Sequence, residues 1–199
     1  MALSVGLLLF TTPLSADQIR GHYTVVGTKP KPHSVQQVVY EEIINFGCPH
    51  CNNLRKASEG IRKQWADRVE FVDIPITFRG QDDSPLRLYH VAKSVGKADL
   101  VRDALFDARF VHGVDVFDPG ICNYLARSLG LGAVYSAEKN KPWVNEAIQL
   151  GIQKSNAYGL TGTPTVVLMG SLKMEIGRYG SMADFTGKMP ETFEDLLAK

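Results

Sequence analysis

The chain has 199 residues, 44% of them hydrophobic and 22% charged, with 22 basic against 21 acidic residues and a formal charge of +1. That profile belongs to an ordinary globular protein and excludes low-complexity, collagen-like and disulfide-dense chains. The near-neutral balance, with no basic stripe, excludes nucleic acid as an expected partner. A chain this long buries enough surface to fold without disulfide or metal staples. Its three cysteines are too few for a disulfide framework, so a close pair among them calls for a chemical explanation.

Residues 1–16 (MALSVGLLLFTTPLSA) carry no charge. Their apolar core, Leu3 to Phe10, is too short to span a bilayer as a helix, which needs ~20 residues. It fits the apolar region of a secretory signal, with Leu14-Ser15-Ala16 as a cleavage site, although the usual Lys or Arg before it is missing. A periplasmic or secreted location is the expectation, and it favours oxidised cysteines. The alternative is a hydrophobic N-terminal strand or helix that stays.

Tyr23 to Val26 is a short edge strand, and Gly27 to Ser34 (GTKPKPHS) is a Pro-rich loop. The second half of Val35 to Phe46 reads as a buried strand, rich in β-branched and aromatic residues. Gly47 ends it, and Pro49 suits a first helical position because its missing N–H has no helical partner anyway. From Cys51 to about Trp65, Leu54, Ala57, Ser58 and Ile61 fall at helical spacing. Val69 to Ile74 is the next strand, limited by Pro75.

The middle of the chain is helical. Leu86 to Val95 is one helix, ended by Gly96, and Ala98 to about Val111 is another. Asp118-Pro119 caps a helix that runs to Leu129, stopped by Gly130-Leu131-Gly132. Pro142 opens the last, running to about Tyr158. The frame resumes with a strand over Thr165 to Met169, a turn at Gly170-Ser171, a return strand over Leu172 to Ile176, and a C-terminal helix over Glu191 to Lys199. The organisation is a signal-like segment (1–16), a first frame part (17–84), a helical insertion (85–158) and a second frame part (159–199). The fold class is α/β with an all-helical insertion.

Cys48-Pro49-His50-Cys51 carries the chemistry. Two cysteines at this spacing, following a buried strand and opening a helix, can close a small reversible disulfide. Free N–H groups and the helix macrodipole stabilise a thiolate at a helix N-terminus. Cys48 lies just outside the first turn and is expected exposed, Cys51 inside it and shielded. Cys48 is then the attacking thiolate and Cys51 the resolving thiol. A protonated His50 would add positive charge beside Cys48. A more stable thiolate makes the disulfide more oxidising. Two other readings stand beside this one. A zinc half-site needs a second ligand pair, and Cys122 is alone. An inert structural disulfide would close a loop too tight to stabilise much.

A second signal is Thr161-Gly162-Thr163-Pro164-Thr165. Pro164 cannot join a central ladder through its nitrogen. A cis Thr163–Pro164 bond would present the Thr163 backbone to a partner chain, and an ordinary trans turn is the alternative.

CPHC after a strand, a helical insertion, and Gly-Thr-Pro before a strand hairpin together resemble the thioredoxin superfamily in its DsbA-like branch, over about Gly21 to Lys199. The resemblance implies a thioredoxin fold with an inserted helical subdomain, working as a periplasmic thiol–disulfide oxidoreductase with no cofactor beyond its redox-active disulfide and no metal. It makes Pro164 the cis-proline beside the cysteines and Thr163 a binder of substrate backbone. The expected partners are reduced or unfolded secreted proteins and a membrane-bound reoxidant, with the chain itself a monomer. Glu42, six residues before Cys48, matches the family's acidic residue beneath the buried cysteine, and a buried carboxylate can take or return the Cys51 proton. The alternative is a strand-end Glu paired with a Lys. Where the resemblance implies a basic partner on the next strand, this chain has Asp73. That departure puts the ion pair in doubt and would push the Glu42 carboxyl up.

The leading function is donation of the Cys48–Cys51 disulfide. A disulfide isomerase or reductase, a non-catalytic peptide-binding chaperone-like module and, more remotely, a glutathione-dependent transferase or isomerase are the rivals. Thr before the Pro is shared with isomerases and reductases. Cys122 reads as a packed inert thiol. His22, His33, His90 and His112 are scattered and carry no assigned role.

Overall fold

A computed structural model describes residues 19–27 and 34–198. The signal-like segment 1–16, most of the Gly27–Ser34 loop and His33 lie outside the described residues.

The frame is a five-stranded sheet among the described residues, ordered β1-β5-β4-β2-β3. The strands are β1 (Tyr23–Val25), β2 (Val38–Ile44), β3 (Val69–Pro75), β4 (Thr165–Leu168) and β5 (Leu172–Met174). Its middle rests on β2, whose sequence VVYEEII is nearly all buried, as a strand covered on both faces must be. β2 pairs in parallel with β3 and antiparallel with β4. β4 pairs antiparallel with β5, and β5 with β1.

Helix α1 (Pro49–Gln64) leaves β2 almost at once. Five helices follow β3: α2 (Ser84–Ser94), α3 (Ala98–Phe110), α4 (Pro119–Ser128), α5 (Gly132–Glu138) and α6 (Pro142–Ala157). Helix α7 (Met182–Leu197) closes the chain. Alternation along β2 sorts its side chains. Val38 and Tyr40 pack with Leu54 and Trp65 of the α1 region and with Phe185 and Phe193 of α7. Ile43 turns to the other face, beside Ile74, Val167 and Tyr158. There α6 approaches so closely that a Cβ on Gly151 would lie 3.2 Å from Cγ2 of Ile74.

The element order matches the sequence reading, with local corrections. The last helix begins at Met182, not Glu191, and carries Pro190 inside it. Ser181 caps it by accepting from the Asp184 N–H at 3.0 Å. Burial of Phe185, Met189, Phe193 and Leu196 along one face outweighs the ~3 kcal/mol that an internal proline costs. Gly130 does end α4 at positive φ, but Gly132 opens α5 instead of a loop, with Leu131 buried as its anchor. The hairpin turns on Met169-Gly170 rather than Gly170-Ser171. Both have positive φ, and the Ser171 N–H donates to the Leu168 carbonyl at 3.0 Å. The return strand stops at Met174 and gives way to a 3-10 turn at Ile176–Arg178.

Frame and insertion share a core. Ile44, Phe46 and Cys51 sit in one buried cluster with Leu86, Leu105 and Phe106. The Phe46 ring lies 5.3 Å from Phe106 and 6.2 Å from Tyr89, centroid to centroid. Phe46→Ala is expected to cost about 3–5 kcal/mol, the usual loss for a fully buried aromatic. Because the cluster joins both parts, denaturant melts should show one transition at lower midpoint rather than two.

Candidate active site

The turn into α1 is built by Asn45. Its Oδ1 accepts from the Gly47 N–H at 2.9 Å, and its carbonyl accepts from the Cys48 N–H at 3.0 Å. Its Nδ2 donates to the Ile76 carbonyl at 2.9 Å and to Gln81 Oε1 at 2.7 Å, which ties the turn to the far side of β3. Position 47 has no room for a side chain. A Cβ there would lie 2.9 Å from the Phe117 ring and 3.2 Å from Asn45 Oδ1. Cys48 is the extended N-cap residue and Pro49 opens the helix. Cys48 is half-buried, Pro49 and His50 are exposed, and Cys51 is fully buried.

Both cysteines are free thiols. Their protons are held very differently. Cys48 is lowered to about 5, first by a hydrogen bond from the Cys51 thiol, with burial opposing. The Thr163 side chain and the backbone N–H groups of Cys51 and His50 add to the lowering. Cys51 is driven far above the ordinary thiol range, first by giving that hydrogen bond and then by burial. The helix start thus favours a Cys48 thiolate beside a Cys51 thiol. His50 acts on Cys48 through its backbone N–H.

The Thr163–Pro164 bond is cis. When Cys48 is protonated, its Sγ donates to the Thr163 carbonyl at 3.2 Å. A cavity of about 280 Å³ opens beside this contact, lined by His50, Thr163, Pro164, Ile176, Tyr179 and Met182. Cys48, Pro49, His50, Cys51, Thr163 and Pro164 therefore meet at one place.

Glu42 sits elsewhere, deep in the sheet and 2% exposed. The expected departure is real, since Asp73 is its register partner on β3. The ion pair nevertheless survives, because the cation comes from a helix instead of the next strand. Arg62 Nη2, from the last turn of α1, lies 3.0 Å from Glu42 Oε2 and 2.5 Å from Asp73 Oδ1. Arg102 Nη1, from α3, lies 3.0 Å from Asp73 Oδ2. Burial pushes Glu42 up to about 7, with Arg62 opposing and Asp73 adding to the rise. Burial also works to raise Asp73, but Arg62 and then Arg102 overcome it and hold that carboxyl below its ordinary range.

Sequence reasoning missed Asn45, Phe117, Arg62 and Arg102. A signal existed for Arg62. Cys51, Arg55, Ser58 and Arg62 recur at helical spacing on one stripe of α1, and a cation there faces two acids on apolar strands. Neighbouring Glu41 is buried on the opposite face of β2. It is held by Lys154 and by the Tyr158 hydroxyl, which donates at 2.5 Å. Cys122 is buried, donates to the Val116 carbonyl at 3.2 Å, and is pushed up to about 12 by burial first. Burial, with Lys93 adding, lowers the half-buried His90 to about 4. Among the described residues no group of three or more His, Cys, Asp or Glu is placed to hold a metal ion.

A cysteine pair at the start of a helix, facing a cis-proline loop on a mixed sheet, defines a thioredoxin-type fold, here with a helical insertion. The chain belongs to the DSBA-like thioredoxin domain family, whose model matches residues 41–185. It is 26% identical over 147 residues to the thiol:disulfide interchange protein DsbA of Pseudomonas syringae pv. tomato. That match covers 70% of this chain and 65% of the relative's length. In fold it is similar to a crystal structure of Xylella fastidiosa oxidoreductase DsbA, with TM-score 0.76 and 22% identity over 89% of this chain and 96% of that one. It is also similar to Proteus mirabilis DsbA solved with the non-covalently bound peptide PWATCDS, with TM-score 0.70 and 22% identity over 90% and 97% of the two chains.

Alkylation of the reduced protein tests the two sulfurs. Cys48 should react with iodoacetamide at a rate that rises across pH 5, following the thiolate, while Cys51 stays unmodified in the folded chain. Thr163→Val removes a donor that favours the thiolate and should move that midpoint upward. Equal reactivity of the two cysteines, read by mass spectrometry, would contradict the geometry.

Proposed function

We propose that this chain is a thiol–disulfide oxidoreductase that donates the Cys48–Cys51 disulfide to reduced proteins. The observation that carries the reading is the unequal protonation of the two sulfurs. A stabilised Cys48 thiolate exists only in the reduced form, so it favours that form and makes the disulfide a strong acceptor of electrons. In the reaction a substrate thiolate attacks Cys48 Sγ, the Cys48–Cys51 bond breaks, and Cys51 leaves and takes up a proton. A second substrate thiolate then attacks the substrate sulfur of the mixed disulfide, and Cys48 departs as the thiolate. Two electrons pass from the substrate dithiol to the cysteine pair, and no further cofactor is required.

We assign Glu42 the proton that Cys51 takes up or gives back, since a carboxyl that titrates near 7 is poised for transfer at neutral pH. Thr163 and Pro164 border the cavity beside Cys48 and are assigned to substrate backbone. The peptide held by the Proteus protein supports an occupant of this chemistry. Reduced secreted or periplasmic proteins are the proposed substrates of a monomer, with a membrane-bound partner to reoxidise it. The proposed domain division remains a first frame part over 17–84, the insertion over 85–158 and a second frame part over 159–199.

The pH dependence follows from the lowered Cys48 thiol. An acid whose folded value lies below its unfolded value adds stability above the folded value, and that stability is lost as pH falls through it. The reduced protein should therefore melt above the oxidised one at neutral pH, and the gap should close as pH drops through about 5. Equilibration in glutathione buffers gives the matching redox test. The expected potential is roughly −120 mV, the figure known for DsbA itself and not one calculated from this site. A potential of roughly −270 mV would make the chain a reductase. Peptide binding that persists without any exchange would make it a holding module.

A further inference from the structure

Glu42 and Asp73 face each other across the parallel β2–β3 ladder, both on the face that α1 covers. Two carboxylates buried as register partners repel, so only one of them ionises easily. The guanidiniums decide which. Asp73 receives two hydrogen bonds on separate oxygens, from Arg62 at 2.5 Å and Arg102 at 3.0 Å. Glu42 receives one, from the same Arg62 Nη2 that serves Asp73, at 3.0 Å. Arg62 is not forked onto either acid, for its buried Nε has no hydrogen-bond partner among the described residues. Glu42 therefore has a share of one nitrogen and lacks the strong bidentate pairing that guanidinium can give.

Arg102 reaches this place from the helical insertion. It is 8% exposed and is itself held by Asp99 and Asp103, each at 3.1 Å. Asp103 also takes Arg55 of α1 at 3.3 Å, and Arg55 Nη2 donates to Asn52, the residue after Cys51, at 3.1 Å. The remaining titratable groups near the pair are the hydroxyl of Tyr40, buried and without a hydrogen-bond partner among the described residues, and that of Tyr89 from α2, which donates to the Asp73 carbonyl at 3.4 Å.

We propose that Asp73 and Arg102 are positioning residues that make Glu42, rather than Asp73, the proton carrier of the buried pair. Asp73 engages both arginines and stays a carboxylate. Glu42 is left to exchange its proton in the range where the enzyme works. The insertion thus acts on the charge of the buried acid pair through a single side chain. This rests on Glu42 as the proton partner of Cys51.

Infrared difference spectra of the reduced full chain carrying 13C-labelled glutamate isolate the Glu42 carboxyl band, which Glu42→Gln must abolish. The wild-type band should titrate near pH 7. Asp73→Asn removes the competing acid and gives Arg62 to Glu42 alone, so the midpoint should fall by about one unit or more. Arg102→Met leaves Asp73 to draw on Arg62 by itself, so the midpoint should rise, and Arg102→Lys should restore most of the shift. The pH profile of the resolving step should move in the same direction. A midpoint that stays put in Asp73→Asn and in the folded Arg102 variants, while melting temperatures change, overturns the proposal and leaves these residues a structural role. If Arg102→Met does not fold, Asp73→Asn and Arg102→Lys decide it. Failure of the wider reading looks different: wild-type protein without exchange, or Glu42→Gln with wild-type exchange and thiol reactivity, leaves the infrared titrations untouched.

Discussion

The site depends on one hydrogen-bonded sulfur. Cys48 is the N-cap of α1, and the backbone N–H groups of Cys51 and His50 favour its thiolate over its thiol. The four leading N–H groups of a helix have no internal partner, and an anion answers that need. A thiolate is the anion available here. Pro49 fixes the helix start immediately after it, so the sulfur cannot be absorbed into the helix by a shift of register. Asn45 holds the turn from below, and Gly47 admits Phe117 against it. Each of these residues constrains the same backbone, and the thiolate is what that constraint produces.

Within the sheet a harder problem is solved. β2 carries two consecutive acids in a strand that is buried on both faces. The pleat sends them apart, Glu41 toward α6 and Glu42 toward α1. A buried carboxylate must be paired or protonated. Glu41 meets a lysine and a tyrosine hydroxyl and so has two partners of its own. Glu42 meets a guanidinium already engaged by Asp73. The same residue type, one position apart, is a bolt for α6 on one face and, on the other, the acid we propose as a proton carrier. Partner supply separates them, since burial is nearly equal.

Much of this was legible in the sequence because the signals are local. CPHC after a β-branched run and before a helical stripe places the dithiol, and Asp118-Pro119 places α4, because capping and proline chemistry act within a turn. The places of the strands along the chain followed from short apolar runs separated by Gly and Pro. What stayed hidden depends on distant partners. Pro190 looks like a helix start until Phe185 and Met189 are seen buried on the sheet. Arg62 and Arg102 look like solvent-facing charges until the fold brings them to Asp73. Asp73 argued against an ion pair on the assumption that the cation would come from the neighbouring strand. Sequence spacing does not say which helix will supply it.

The helical insertion is therefore part of the dithiol site rather than a lid beside it. Three contacts tie them, each of a different kind. Phe106 and Tyr89 pack on Phe46, the second residue before Cys48. Phe117 fills the space that a side chain at position 47 would need. Arg102 pairs with Asp73 and keeps that acid ionised, while Asp73 still competes with Glu42 for Arg62. The first two fix where the sulfurs sit, and the third bears on the charge of the buried acid pair in the sheet. Loosening the insertion would shift both at once. A thioredoxin-type frame without it would leave Asp73 to draw on Arg62 alone, and Glu42 would lose part of the one nitrogen it shares.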